Sequence, residues 1–303
     1  MKQLIEENNL ILMEAAIAEP LMRVRNVELH PSLLNAPAIY DPDSKTALKA
    51  LYQSYIDIAQ KSSLPILLLT PTWRANFERV SAEPIMLQIN LDAVQLLKGI
   101  RAEQGNQSVP IKIGGLVGCK NDAYDPSQCL SCDEAESFHQ WQIDQLAEAK
   151  PDYLIAETLP SIEEATGIAR AMAKTNLPYI ISFVVNRQGY LLDGTNLINA
   201  IEKIDSIKQK QPTGYMVNCS YPTFICAEKQ PKSLFKRLIG CQANASSLDH
   251  SELDESTELK TENIAEWGNE MVKLNQIHGI KILGGCCGTR KEHLEYIVRE
   301  IFD

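Results

Sequence analysis

The chain has 303 residues, of which 45% are hydrophobic and 22% charged, the balance of a folded globular protein with a full core. A formal net charge of −10 argues against nucleic-acid or anionic-membrane partners, which reward clustered Lys and Arg. A membrane span is excluded because no run reaches about 18 apolar residues, and the first ten residues (MKQLIEENNL) lack the unbroken apolar stretch of a secretory signal. A cytoplasmic location is therefore expected, with the eight cysteines reduced.

In chain order, short apolar runs alternate with longer helical patterns. The expected strands are Leu10–Glu14, Pro65–Thr70, Ile111–Val117, Tyr153–Glu157, Tyr179–Val185, Gly214–Asn218, Arg237–Cys241 and Ile280–Gly284. The expected helices are Ser44–Lys61, Ile85–Gln104, Asp133–Lys150, Ile162–Lys174, Leu197–Ile207, Glu262–His278 and Lys291–Ile301. Between the sixth and seventh strands only two short helical pieces are read, Tyr221–Glu228 and Lys232–Phe235. Ser131 with Glu134, and Ser161 with Glu164, fit capping boxes. Pro65, Pro151 and Pro178 stand just before strands, where a missing N–H does least harm. The acidic stretch Ser251–Glu262 reads as a solvated loop. Eight strands joined by crossovers make a parallel sheet, and closing it gives an α/β fold, a single (β/α)8 TIM barrel over residues 1–303.

The most informative residues are Gly284-Gly285-Cys286-Cys287-Gly288-Thr289, at the end of the eighth strand. Adjacent strand residues point to opposite faces, so both thiols can meet one metal only where the backbone leaves the strand, and flanking glycines permit that. Cys219 ends the sixth strand, and in a barrel the ends of strands six and eight share one rim. Three thiolates leave one tetrahedral position of zinc open, the mark of a catalytic site. Two blander readings stand beside this one: buried thiols acting as small hydrophobes, or a strained disulfide between neighbours. Cys129-Leu130-Ser131-Cys132, with Cys119 nearby, is a C-x-x-C at a helix start, where a depressed thiol pKa would permit redox chemistry or a second metal. His139 reads as a packing residue between Phe138 and Trp141, and His30, His250, His278 and His293 form no metal spacing.

These motifs resemble those of the homocysteine S-methyltransferase family. The family's GGCCGT stands at Gly284–Thr289, its Asn-Cys pair at Asn218-Cys219, and its strand-four segment at Ala156–Ala165 (AETLPSIEEA). Thr70–Ala75 (TPTWRA) is similar to the strand-two segment Thr-Asn-Thr-Tyr-Gln-Ala, and Gly189–Gly194 and Asn244 fall where similar segments do. The resemblance runs from about Leu10 to the C-terminus. It implies zinc on Cys219, Cys286 and Cys287 and an amino-acid ammonium gripped by Glu157, with Glu14, Thr72, Trp73 and Asn244 also expected at the substrate. Strand one departs from the family: Glu14 replaces Asp, Ala15 and Ala18 replace Gly, and Glu19 replaces Thr. The implied activity is methyl transfer to homocysteine, giving methionine. A sulfonium donor, S-methylmethionine or S-adenosylmethionine, is favoured because its positive charge makes a good leaving group; betaine is the other candidate donor, and folate-dependent transfer is not expected because the chain ends soon after strand eight without room for folate or cobalamin domains. The alternatives are another thiol or selenol acceptor, or a non-catalytic zinc-binding barrel acting as a partner subunit. The sequence does not set the oligomeric state.

Overall fold

Eight short strands carry the architecture: β1 (Ile11–Met13), β2 (Ile66–Leu69), β3 (Ile111–Gly118), β4 (Tyr153–Leu159), β5 (Tyr179–Phe183), β6 (Gly214–Asn218), β7 (Leu238–Ala243) and β8 (Ile282–Gly285). Each pairs in parallel with the next, and β1 pairs with β8, so the sheet closes into a barrel. The computed structural model describes residues 1–83, 86–105, 109–248 and 263–302.

Parallel strands covered on both faces should be apolar throughout rather than alternating. The sequence obeys this: every residue of β1 and of β2 is buried. Side chains still alternate in direction. Ile11, Met13, Leu67, Leu69, Tyr153, Ile155, Ile180, Met216 and Ile282 fill the barrel interior. Their neighbours Leu12, Ile66, Leu68 and Leu154 face outward into the layer beneath the helices. Helix α1 (Lys2–Glu7) lies at the strands' N-terminal end, where Met1, Leu4 and Ile5 pack against the interior cluster and Lys281 donates to the Ile5 carbonyl at 2.7 Å.

The outer helices are α3 (Pro42–Lys61), α5 (Ile89–Glu103), α6 (Cys132–Glu148), α7 (Ile162–Ala173), α8 (Leu197–Asp205), α9 (Ile264–Gln276) and α10 (Lys291–Phe302), within a few residues of expectation. Two expected start points, Ile85 and Glu262, lie outside the described residues, as do His250 and the stretch Ser251–Glu262. Asp41 caps α3 by accepting the Ser44 N–H, with Pro42 in the first turn where its missing N–H is harmless. Short helices α2 (Ala18–Met22) and α4 (Phe77–Ser81) follow β1 and β2 and escape a periodicity reading because they span barely one turn. Between β6 and β7 the crossover is three 3-10 turns, Pro222–Ile225, Ala227–Lys229 and Leu234–Lys236, rather than two helical pieces.

The Ser131–Glu134 capping box forms in full, but that of Ser161 does not. Ser161 caps α7 by accepting the Glu163 N–H, while Glu164 turns away into the protein. There it accepts the Lys120 N–H at 2.8 Å and the Leu130 N–H at 3.4 Å, and meets His139 Nε2 at 2.9 Å. Burial opposes its ionisation, but the hydrogen bond and charge of His139 and the two backbone N–H groups hold its carboxyl below the usual range. His139 is thus a buried structural partner, and Glu164 clamps the loop between β3 and α6 at both ends.

Candidate metal centre and active-site cavity

Cys219, Cys286 and Cys287 converge at the C-terminal rim of the barrel. Their sulfurs all lie within 4.8 Å of one another, with Cys219 2.7 Å from Cys286 and Cys286 4.0 Å from Cys287. Strand β8 ends at Gly285, so the adjacent cysteines leave the pleat before their side chains must diverge. Local packing explains the surrounding glycines. A Cβ on Gly285 would strike the Thr289 side chain, and one on Gly284 would fall 2.7 Å from the Met13 Cβ. Only Gly288 of this motif has a left-handed backbone, with φ +79°.

The left-handed conformation at the other arm of the cluster falls on Cys219 itself (φ 51°), and on Thr158 (φ 59°) at the irregularity where β4 slips register against β5. Such a conformation in a non-glycine residue survives only where neighbours impose it. Here Asn218 does so: its Oδ1 accepts the Thr158 N–H at 2.8 Å and the Ser182 hydroxyl at 2.7 Å, and its Nδ2 donates to Thr158 Oγ1 at 2.7 Å. The Thr158 hydroxyl in turn donates to the Cys219 sulfur at 3.5 Å.

The thiols share protons unequally. Hydrogen bonds with Cys219 and Cys286 hold the Cys287 thiol well below its ordinary range, while those with Cys219 and Cys287, reinforced by burial, push Cys286 well up. For Cys219, the hydrogen bond with Cys286 favours the thiolate, but that with Cys287 and burial prevail and raise it to about 12. A cluster in which one sulfur carries charge at its neighbours' expense is an incomplete cation site, and three soft thiolates suit zinc.

The cluster borders a cavity of about 320 Å³, at the small end of ligand pockets, which run from about 300 to 1,000 Å³. Glu14, Glu157 and Trp73 line it, as do Ala15, Ala18 and Glu19 of the segment after β1. Glu157 is 6% exposed, and among the described residues its Oε1 has no hydrogen-bond partner. Its carboxyl is pushed well up by burial, with Cys219 adding to the effect. Glu14 accepts the Leu69 N–H at 2.8 Å, yet burial foremost, with Glu157 nearby, also raises its carboxyl well above normal. Among the described residues neither acid forms an ion pair, and such buried acids fit a ligand that carries a cation. Trp73 packs directly over β3, where a Cβ on Gly118 would lie 2.5 Å from the Trp73 carbonyl, and its Nε1 donates to the Glu157 carbonyl at 3.2 Å.

Two residues expected at the substrate stand behind the cavity wall instead. Thr72 is fully buried, bonded to Thr70 and to the Leu116 carbonyl, so its hydroxyl is already committed to holding β2 against β3. Asn244 donates to the Cys219 carbonyl at 3.0 Å, and its own carbonyl receives the Trp267 indole N–H at 2.9 Å. It positions a cluster residue and does not line the cavity. Conversely, Tyr124 lines the cavity without having been foreseen. It comes from the loop between β3 and α6, and burial first, then the three cysteines, push its phenol well up. The C-x-x-C thiols do not behave as a helix-activated pair. Burial, with Glu164 beside it, raises Cys129 to about 12, and burial raises Cys132 as well.

The sequence profile described as homocysteine S-methyltransferase matches residues 7–301. The chain belongs to the homocysteine S-methyltransferase family. Within that family it is 24% identical to the homocysteine S-methyltransferase YbgG of Bacillus subtilis, over 98% of this chain and 96% of the relative. It is 26% identical to homocysteine S-methyltransferase 3 of Zea mays, over 55% of this chain and 49% of that one. The metallated form of the Escherichia coli homocysteine methyltransferase MmuM superposes with a TM-score of 0.76 at 19% identity, over 98% of both chains. The apo form of the same protein gives 0.67 at 17% identity, over 97% of this chain and 96% of that one. At these identities the solved structures attest the barrel alone. The family's members act on small molecules, and this chain is accordingly a methyltransferase, which displaces the reading of a non-catalytic partner. Among the described residues no helix is long and apolar enough to cross a membrane.

Proposed function

We propose that this single barrel domain, spanning residues 1–303, methylates the sulfur of homocysteine to give methionine, using zinc held by Cys219, Cys286 and Cys287. The observation that carries the reading is the convergence of those three sulfurs, from separate strand ends, beside a cavity lined by two unneutralised buried acids. When bound, zinc supplies a Lewis acid that lowers the pKa of a thiol placed at its open position.

The chain's own residues do the rest. Asn218 and Thr158 hold the Cys219 sulfur in place. Glu157 and Glu14 receive the amino acid's ammonium, which returns both carboxyls toward ionisation and fixes the direction of the substrate sulfur. Tyr52, Trp73 and Leu116 supply apolar wall that keeps water from competing for the methyl group, and the aromatic faces suit a sulfonium cation. In the reaction the donor's S–CH3 bond breaks and its electron pair remains on the donor sulfur, which becomes neutral. The new C–S bond forms on homocysteine, whose thiol proton passes to solvent.

The sulfonium donor is favoured because three acids, Glu14, Glu19 and Glu157, line the cavity against the single cation Arg74, an acidic balance even with Glu19 paired to Arg23. The test is methionine formation from homocysteine with S-methylmethionine, S-adenosylmethionine and betaine in turn. Activity with a sulfonium, lost in Cys286→Ser and lowered at least tenfold in Glu157→Gln, is the expected result (about the worth of one charge-assisted contact). A second reading, another thiol or a selenol as acceptor, is favoured by Ala15 and Ala18, which line the cavity where the family has glycine. Methylation of such an acceptor with no methionine from any donor would establish it and exclude homocysteine.

A further inference from the structure

Arg74 stands out as a charge the scheme above does not use. It follows Trp73 in the segment after β2, is half-buried, and lines the same cavity as Glu14 and Glu157. Its guanidinium carbon lies 4.6 Å from the centroid of the Trp73 ring. Among the described residues no carboxylate pairs with it. Cations of the neighbouring segments are engaged elsewhere. Arg79 donates to the carbonyls of Lys120 at 3.0 Å and Ser32 at 3.4 Å, Lys120 pairs with Glu78 at 3.3 Å, and Arg23 pairs with Glu19 at 2.5 Å. In the family's strand-two segment this position is a neutral Gln, so the charge is a departure of this chain.

The arrangement has a direction. The Trp73 indole N–H reaches the Glu157 carbonyl at one edge of the ring, while Arg74 stacks against the face. The indole thus fixes the Glu157 backbone at its edge and the Arg74 guanidinium at its face, and the side chains of both residues line one small cavity. A ligand that carries an ammonium and a carboxylate on one carbon can satisfy both. Arginine suits the second task because its planar fork accepts a carboxylate on two parallel N–H groups, and stacking on an aromatic face restricts its rotamers beforehand.

We propose that Arg74 is the specificity-determining residue for the substrate's carboxylate, complementing Glu157 on the same cavity so that it selects zwitterionic α-amino acids. The inference rests on the reading that an amino acid occupies this cavity. Arg74 touches the end of the substrate remote from the reacting sulfur, so it governs selection and orientation.

Calorimetric binding separates this role from a merely structural one, using reduced, zinc-loaded protein and three probes. L-Methionine carries both charges, 4-(methylsulfanyl)butanoate lacks the ammonium, and 3-(methylsulfanyl)propan-1-amine lacks the carboxylate. Arg74→Gln is expected to weaken L-methionine and the butanoate at least tenfold and to leave the amine within about twofold. Arg74→Lys should fall between, keeping the charge but losing the fork. Glu157→Gln should show the mirror pattern, losing the amine and sparing the butanoate. If Arg74→Gln weakens all three probes by one common factor, or leaves the butanoate unaffected, the proposal is overturned while the amino-acid reading stands. If wild-type protein binds none of the three, both are overturned.

Discussion

The chemistry of this protein turns on a few residues held in costly conformations. A left-handed backbone at Cys219 and at Thr158 costs on the order of 1–3 kcal/mol each, and Asn218 is the residue that enforces it. Asn218→Ala strands the Thr158 N–H and the Ser182 hydroxyl in a buried setting. Denaturant unfolding should show a loss of about 2–3 kcal/mol, and competition with a chelator should show zinc held about 10- to 100-fold more weakly. The two cavity acids make a pH prediction. Both carboxyls titrate above their unfolded values, so the folded chain binds more protons than the unfolded one in that interval. Their contribution to stability is therefore full below the unfolded carboxylate pKa and is lost as pH rises through the raised folded values. Substrate-free protein should lose stability along that rise, and Glu14→Gln should flatten the loss. A Glu14→Gln variant with the same pH slope as wild type would contradict the burial argument.

At the scale of elements, the strand ends and the loop after β3 assemble the site. Glu164 ties that loop to α6 and α7 through Lys120, Leu130 and His139, and the loop carries Tyr124 to the cysteines. Glu164→Ala leaves His139 and two backbone N–H groups without their acceptor, and thermal or urea unfolding should register about 3 kcal/mol of lost stability. Gly118→Ala pushes Trp73 off its seat over β3, so it should impair substrate binding while the zinc content stays unchanged. The same elements show what the sequence made legible. Runs such as Ile66–Leu69 announce buried parallel strands because they are short, uniformly apolar and recur between longer helical patterns. The paired cysteines after β8 were readable because glycines flank them and a third cysteine closes β6. Tyr124 and Arg74 were not, since each reaches the cavity from an aperiodic segment and its role exists only once the barrel is closed. Glu164 matched a capping pattern by spacing, but a buried histidine on the preceding helix competed for its carboxylate and won.

For the whole molecule, barrel closure and the cysteine cluster reinforce each other. The three cysteines stand just past the ends of β6 and β8, and the carbonyl of Cys287 accepts the Ala245 N–H at 2.9 Å while the Cys286 N–H donates to the Ala243 carbonyl at 2.7 Å, so the cluster straddles the seam between β7 and β8. An ion that binds only the folded chain stabilises it by mass action. Removal of zinc by a chelator should therefore lower the melting temperature, and Cys219→Ser should abolish that response. In the interior, Leu67 packs among Ile11, Met13 and Ile180, and Leu67→Ala should cost about 2–5 kcal/mol without altering the number of zinc ions bound.

The measurement that tests the central claim most directly is zinc-edge X-ray absorption of the reduced protein, with and without homocysteine. Three sulfur neighbours at about 2.3 Å with one lighter atom, becoming four sulfurs on addition of homocysteine, is the predicted result. Protein that retains no zinc when purified without chelator, or a sulfur count that homocysteine leaves unchanged, would contradict the account.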